Sequence, residues 1–272
     1  MPFGAVLNSK TMAELSQHNP TGRFAGLADL YAKCRPSYAP AAVDYIMAYC
    51  GLDKDSVLVD IGSGTGISAR LFAQRGVTVI GVEPNAEMRA RAKGEPFPAD
   101  LRAPIYQDGR GEATRLPDGK ANAVLAAQAF HWCEPESALR EFHRILKPDG
   151  WVILLWNERD ESDPFTKAYG AVVRTTPDAA AVEIPRGQAG EPLLTNPLFQ
   201  DASRVLFHFE QELDEEGLLG RAFSASYAPR EPSLVQAFAT RLREVFSHFE
   251  HAGKVVLRYE TAVYLGRRAE IR

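Results

Sequence analysis

Three cysteines are all the chain holds, and Cys34, Cys50 and Cys133 are widely spaced with no CxxC pair among them. That excludes a disulfide framework and a thiolate zinc site; reduced, packed thiols suit a cytoplasmic protein. No group of His, Cys, Asp or Glu has ligand-like spacing, so no metal is expected. No block of Lys or Arg appears and the formal charge is −4, which leaves no electrostatic footprint for nucleic acid. No apolar run approaches the ~20 residues of a membrane span, and the first twenty residues hold no signal-peptide core. Internal repeats and low-complexity tracts are missing too, and nothing marks an oligomeric state. What remains is an ordinary composition, 45% apolar and 24% charged over 272 residues. It suffices for one α/β core with a small accessory part.

The most informative stretch is Val57-Leu58-Val59-Asp60-Ile61-Gly62-Ser63-Gly64-Thr65-Gly66-Ile67. Apolar residues around Asp60 read as a parallel strand covered on both faces. Gly62, Gly64 and Gly66 then clear one side of a sharp strand-to-helix turn, where a ligand can approach the backbone and positive φ costs little. Ile67 and Leu71 share a face of the following helix, which Gly76 ends. A second strand, 77–82, closes in Glu83. An open parallel sheet places an acid there to accept both hydroxyls of a ribose. A dinucleotide fingerprint would want glycine at position 67, where the chain has Ile67, so a nicotinamide oxidoreductase is disfavoured.

The pattern Asp60-x-Gly62-x-Gly64-x-Gly66, with Glu83 one strand on, resembles motif I and its acidic partner in class I S-adenosylmethionine-dependent methyltransferases. The resemblance implies a Rossmann-like α/β fold. Its sheet would have seven strands, mostly parallel with the last antiparallel, with helices on both faces and helical cap insertions. It implies S-adenosyl-L-methionine as cofactor and S-adenosyl-L-homocysteine as product. On this basis Asp60, Gly62, Ser63, Gly64, Gly66 and Gln128 surround the amino-acid end and Glu83 fixes the ribose. Pro84, Met88, Gly111 and Glu112 frame the adenine. Arg110 stands where many relatives carry an acid, so the adenine amino group falls to Glu112 or to backbone. Read without the family, Met88 is core packing and 108–117 is a solvated charged loop.

Two shorter strings narrow the resemblance. Tyr31-x-x-x-Arg35-Pro36-x-Tyr38 and Gln128-Ala129-Phe130-His131-Trp132 are similar to a type-11-like, small-molecule branch that includes trans-aconitate methyltransferase. There Arg35 reaches the methionine carboxylate of the cofactor, or the substrate; otherwise it is a snorkelling surface arginine between two rings. His131 and Trp132 follow the carboxyl end of a fourth strand, 123–127, where open sheets place ligands. His131 is therefore the candidate general base, with a satisfied structural histidine as the alternative. Tyr31, Tyr38, Trp132, Trp156 and Asn157 are candidates for a substrate pocket. The string Asn/Asp-Pro-Pro-aromatic of nucleic-acid methylases is absent after that strand.

The rest of the chain reads in order. Pro36 and Pro40 stiffen a connection into a helix over 40–50, ended by Gly51. Asn85 caps a helix, a short strand lies near 105–107, and Pro117-Asp118-Gly119 turns. A helix over 135–146 stops at Lys147-Pro148-Asp149-Gly150, ahead of a fifth strand, 151–156. Beyond 158 come a helix over 164–174, a Pro/Gly-rich stretch 177–197, an alternating strand near 205–210 and a helix near 214–222. Ser226 and Tyr227 are further pocket candidates, or a plain helix-end turn. An amphipathic helix over 233–250, capped by Ser233, precedes a last strand at 255–265.

The chain thus divides into a mobile segment 1–23, a cofactor-binding core 24–160, cap insertions 161–252 interleaved with a strand at 204–210, and a last strand with tail, 253–272. The expected activity is methyl transfer to an oxygen, carboxylate or hydroxyl, of a small-molecule acceptor, with neither nucleic acid nor membrane as partner. The rival is a non-catalytic nucleoside-binding or regulatory protein that keeps the pocket.

Overall fold

The parallel strands are β1 (Val57–Ile61), β2 (Thr78–Val82), β3 (Ile105–Gln107), β4 (Ala121–Ala127) and β5 (Leu146–Arg159). Two long strands complete the sheet, β6 (Phe199–Leu213) and β7 (Val255–Arg268). The order is β3-β2-β1-β4-β5-β7-β6, and β7 runs antiparallel to both β5 and β6. This is the Rossmann-like sheet that the glycine loop and the last strand implied. The structure is a computed structural model that describes residues 32–176, 179 and 188–270. The segment 1–23 and Tyr31 lie outside the described residues.

Side chains alternate across each strand, so one strand feeds two cores. Leu58, Val79, Leu125, Ile153 and Leu155 meet α1 (Pro40–Tyr49) and α2 (Ile67–Ala73) through Val43, Ile46 and Phe72. On the other face Val59, Val124, Val152, Leu154 and Trp156 share a core with residues of two further helices. These are α4 (Pro135–Ile145), through Leu139 and Phe142, and α6 (Glu191–Thr195), through Leu193. The helix α3 (Ala86–Gly94) follows β2, with Asn85 Oδ1 accepting from the N–H groups of Glu87 and Met88 as its cap. A third core joins α5 (Pro164–Val173), α7 (Glu215–Phe223) and α8 (Pro232–Phe249) with the Tyr259 end of β7.

Four expectations shift. Lys147 to Gly150 loop out within β5 rather than before it, since Ala121 pairs with Leu146 and Ala123 with Trp151. β6 runs well beyond 205–210 because β7 pairs with it from Arg268 to Val255. The short α6 lies inside the stretch read as irregular connection. The cap of α8 is Glu231, not Ser233: Pro232 takes the first helical turn, and the Glu231 carboxylate accepts from the N–H groups of Ser233 and Leu234.

Candidate functional site

Past Ile61 the backbone turns through three glycines with positive φ, +63° at Gly62, +54° at Gly64 and +81° at Gly66. They do different work. A Cβ on Gly62 would stand 2.6 Å from the Ala129 Cβ, and one on Gly66 would stand 2.1 Å from the Tyr106 hydroxyl. Those two glycines make room for the protein's own atoms. A Cβ on Gly64 would find nothing nearer than the Gly62 carbonyl at 4.0 Å, so Gly64 is the glycine that leaves space for a ligand.

Glu83, at the end of β2, is locked onto this loop. Its Oε2 accepts from the Gly64 N–H at 3.0 Å and its Oε1 from the Asn85 N–H at 2.8 Å. The carboxyl is only 8% exposed; burial pushes its pKa up while the two amides pull against that rise. Each oxygen keeps a further lone pair for another donor.

Asp60, one strand deeper, is fully buried. Ser68 Oγ donates to its Oδ2 at 2.7 Å, and its Oδ1 has no hydrogen-bond partner among the described residues. Burial pushes its pKa up to about 7, Ser68 opposes this, and the nearby Glu83 adds to it. Folded Asp60 thus keeps its proton to about pH 7, whereas the unfolded chain releases it near the ordinary aspartate value of 3.8. Between those limits the native state holds the extra proton, so Asp60's contribution to stability falls as pH rises and levels off above the folded pKa. Asp60→Asn removes that slope. In thermal melts the variant should gain on the wild type from about pH 5 to about pH 8; parallel curves would show that Asp60 does not titrate there.

A narrow cleft opens beside the loop. The loop lines it with Gly62, Ser63, Gly64 and Thr65, together with Ser68 and Gln128, and four residues from elsewhere in the chain join them, Arg35, Tyr38, Asn157 and Arg221. Ser63 Oγ and Thr65 Oγ1 are buried with no hydrogen-bond partner among the described residues. Gln128 turns with φ +57° as its N–H bonds the Leu155 carbonyl at 2.8 Å, a left-handed conformation that a non-glycine residue adopts rarely.

Arg35 reaches across to α7, donating from Nη2 to the Ser224 carbonyl at 3.0 Å. Asn157 Nδ2 donates to the Ser37 carbonyl at 2.7 Å, and its Oδ1 accepts from Thr261 Oγ1 at 2.7 Å. His131 is buried in the short 3₁₀ turn Phe130–Trp132, its ring centroid 4.8 Å from that of Trp132, which packs on the third core. Tyr227 belongs to that core and Ser226 is half-buried beside it.

Other candidates stand apart from the cleft. Trp156 is 1% exposed and edge-on to Tyr264, with centroids 5.6 Å apart, in the core beneath the sheet. Strand alternation sends it to the face opposite its neighbour Asn157, which corrects its placement at the pocket rim. Gly111 is tied up by packing, since a Cβ there would meet Cys133 Sγ at 2.6 Å. Glu112 Oε1 accepts from the Glu134 N–H at 2.7 Å, ahead of α4. Pro84 is half-buried after Glu83, and Met88 is buried in the first turn of α3.

The residue missed by sequence reading is Arg221. It lies on the buried face of α7 with Leu218 and Ala222, and its Nε donates to the Tyr259 hydroxyl at 3.2 Å. A charged residue on the apolar stripe of an amphipathic helix was the available signal. Among the described residues, no trio of His, Cys, Asp or Glu could hold a metal, and no helix is long and apolar enough to cross a membrane.

Comparison with known proteins follows the same lines. Residues 59–154, from β1 through most of β5, match the family described as "Methyltransferase domain". An uncharacterized methyltransferase of Mycobacterium tuberculosis is 29% identical over 218 residues, covering 78% of this chain and 80% of that protein. The malonyl-[acyl-carrier protein] O-methyltransferase of Pectobacterium atrosepticum is 32% identical over 132 residues, 48% of this chain and 49% of that enzyme. Among solved structures, a candidate methyltransferase from an antibiotic biosynthesis pathway of Anabaena variabilis shares the fold. It superposes with a TM-score of 0.63 at 22% identity, over 85% of this chain and 98% of that one.

Proposed function

We propose that this methyltransferase, of the class I S-adenosylmethionine-dependent kind, moves a methyl group to an oxygen of a small-molecule acceptor, a carboxylate or a hydroxyl. The observation that carries this reading is the Glu83 carboxylate held by the Gly64 and Asn85 amides at the mouth of an open glycine loop. The residues present fit the cofactor: Gly64 leaves room beside the backbone, and buried Ser63 and Thr65 hydroxyls lack partners among the described residues. The oxygen acceptor draws support from the Pectobacterium relative, an O-methyltransferase by name. The narrower likeness to trans-aconitate methyltransferase rests on the Arg35-Pro36 and Gln128–Trp132 strings alone.

When bound, S-adenosylmethionine supplies a methyl carbon on a positively charged sulfur. Glu83 accepts from the ribose hydroxyls, while Asp60 underpins the loop from below. Ser63, Thr65, Gln128 and Arg35 would receive the amino-acid end, and Pro84, Met88, Gly111 and Glu112, outside the cleft lining, would flank the adenine. On this reading the segment 24–160 is the cofactor-binding core and the insertions over 161–252 choose the acceptor, with Tyr38, Trp132, Ser226 and Tyr227 as the pocket candidates. Alignment and water exclusion carry most of the acceleration, since well-placed reactants recover ~7–11 kcal/mol. His131 takes the proton from a hydroxyl acceptor; a carboxylate needs no base.

The test is transfer of label from S-[methyl-³H]adenosylmethionine to a panel of small carboxylic acids, phenols and amines. Label should appear on an acid or a phenol. Binding without transfer would make the chain a nucleoside-binding protein, and label on amines alone would sink the oxygen acceptor. His131→Ala should lower kcat ~10²-fold or more on a phenol, with a changed pH profile, and leave kcat on an acid unchanged.

A further inference from the structure

Arg221 is 4% exposed, and Nε to the Tyr259 hydroxyl is the hydrogen bond its side chain makes among the described residues. No carboxylate among those residues lies within ion-pair distance of it. Other arginines of the chain are paired, Arg144 with Glu141 and Asp118, Arg174 with Glu161. An unpaired buried charge costs several kcal/mol, and evolution rarely leaves one without use. Three tyrosines, Tyr259, Tyr169 and Tyr227, surround this one within electrostatic reach. Neutral phenols solvate a cation without cancelling it.

Arg221 also lines the cleft, together with Tyr38, Asn157 and the glycine loop. A guanidinium has five donors in a planar fork, and one is spent on Tyr259. The remaining edge matches the two oxygens of a carboxylate. We propose that Arg221 anchors the methyl acceptor, which is a small organic acid whose carboxylate docks on this guanidinium in the cleft that Gly64 also lines. This rests on the methyl-transfer reading above and names the substrate class of the same site. The Tyr38 ring in the same lining suits the carbon skeleton of such an acid. Lysine would keep the charge but lose the fork.

The test uses full-length protein saturated with S-adenosylhomocysteine. Acetate, benzoate, glutarate and citrate are titrated calorimetrically, each beside its neutral amide. At least one acid should bind, with its amide weaker by about 10–100-fold. Arg221→Gln should cost that acid the same factor and Arg221→Lys a smaller one, while S-adenosylhomocysteine affinity stays within about twofold in both, which also reports that they fold. Acids and amides binding alike or not at all, or an acid affinity untouched in Arg221→Gln, would overturn the anchor. So would loss of S-adenosylhomocysteine binding in Arg221→Gln with the acid retained, which would give the guanidinium to the cofactor. Failure of S-adenosylhomocysteine to bind the wild type is a different result: it defeats the cofactor reading itself.

Discussion

Glu83→Ala should weaken S-adenosylhomocysteine binding by roughly 2–4 kcal/mol, about 30- to 1,000-fold in Kd. Two charge-assisted hydrogen bonds to the ribose are lost, and water restores part of their worth in the free enzyme. The loop suffers as well. Gly64 and Asn85 lose the acceptors of their N–H groups, at 3.0 and 2.8 Å, so the turn that must meet the ligand is no longer set in advance. Glu83→Gln should not rescue binding, because the amide would point an NH₂ at one of those backbone donors. Calorimetry on both variants checks this. An unchanged affinity in Glu83→Ala would put the nucleoside elsewhere.

Gly62→Ala should destabilise the fold by roughly 2–4 kcal/mol, and Gly64→Ala by about 1 kcal/mol, although both positions have positive φ. Left-handed backbone costs an L-residue roughly 1–2 kcal/mol in either case. Only at Gly62 does the new methyl collide, 2.6 Å from the Ala129 Cβ, in a place where neither backbone has slack. Overpacking of that kind adds about 1–3 kcal/mol. The loop would also strain the bond from the Gly62 N–H to the Val82 carbonyl, 2.8 Å, which ties β1 to β2. Ligand affinity should follow another order, with Gly64→Ala losing S-adenosylhomocysteine binding more than its stability suggests, because its methyl enters the cleft. Urea unfolding and calorimetry on the two variants separate these effects; equal unfolding costs would mean that Ala129 yields freely.

The glycine turn, the strands on either side of it and the Asn85 cap were legible because each is decided by neighbours in sequence. The features that escaped depend on residues far along the chain. Asn157 and Trp156 look equivalent at a strand end, yet one faces the cleft and the other the opposite core, since adjacent side chains leave a strand on opposite sides. Glu112 reads as a free acid in a charged loop until Glu134, distant in sequence, offers it a backbone N–H. Pro232 moves the start of α8 back to Glu231, a detail that Ser233 conceals because serine is the commoner cap. β6 has a polar first half, and only β7 beside it shows how far it runs. Arg221 is ordinary in one dimension and unusual only once three tyrosines and a cleft surround it.

The strap from Arg35 to Ala39 is fastened at both ends. Asn157 grips the Ser37 carbonyl, Thr261 receives the Ala39 N–H at 3.3 Å, and Arg35 holds the Ser224 carbonyl at the far end of α7. A shift of α7 therefore tugs on the same arginine that borders the glycine turn, and every hydrogen bond broken along the way costs about 1 kcal/mol. The segment beside the glycine turn is thereby moored to β5, β7 and α7 together, and freeing it means breaking all three bonds.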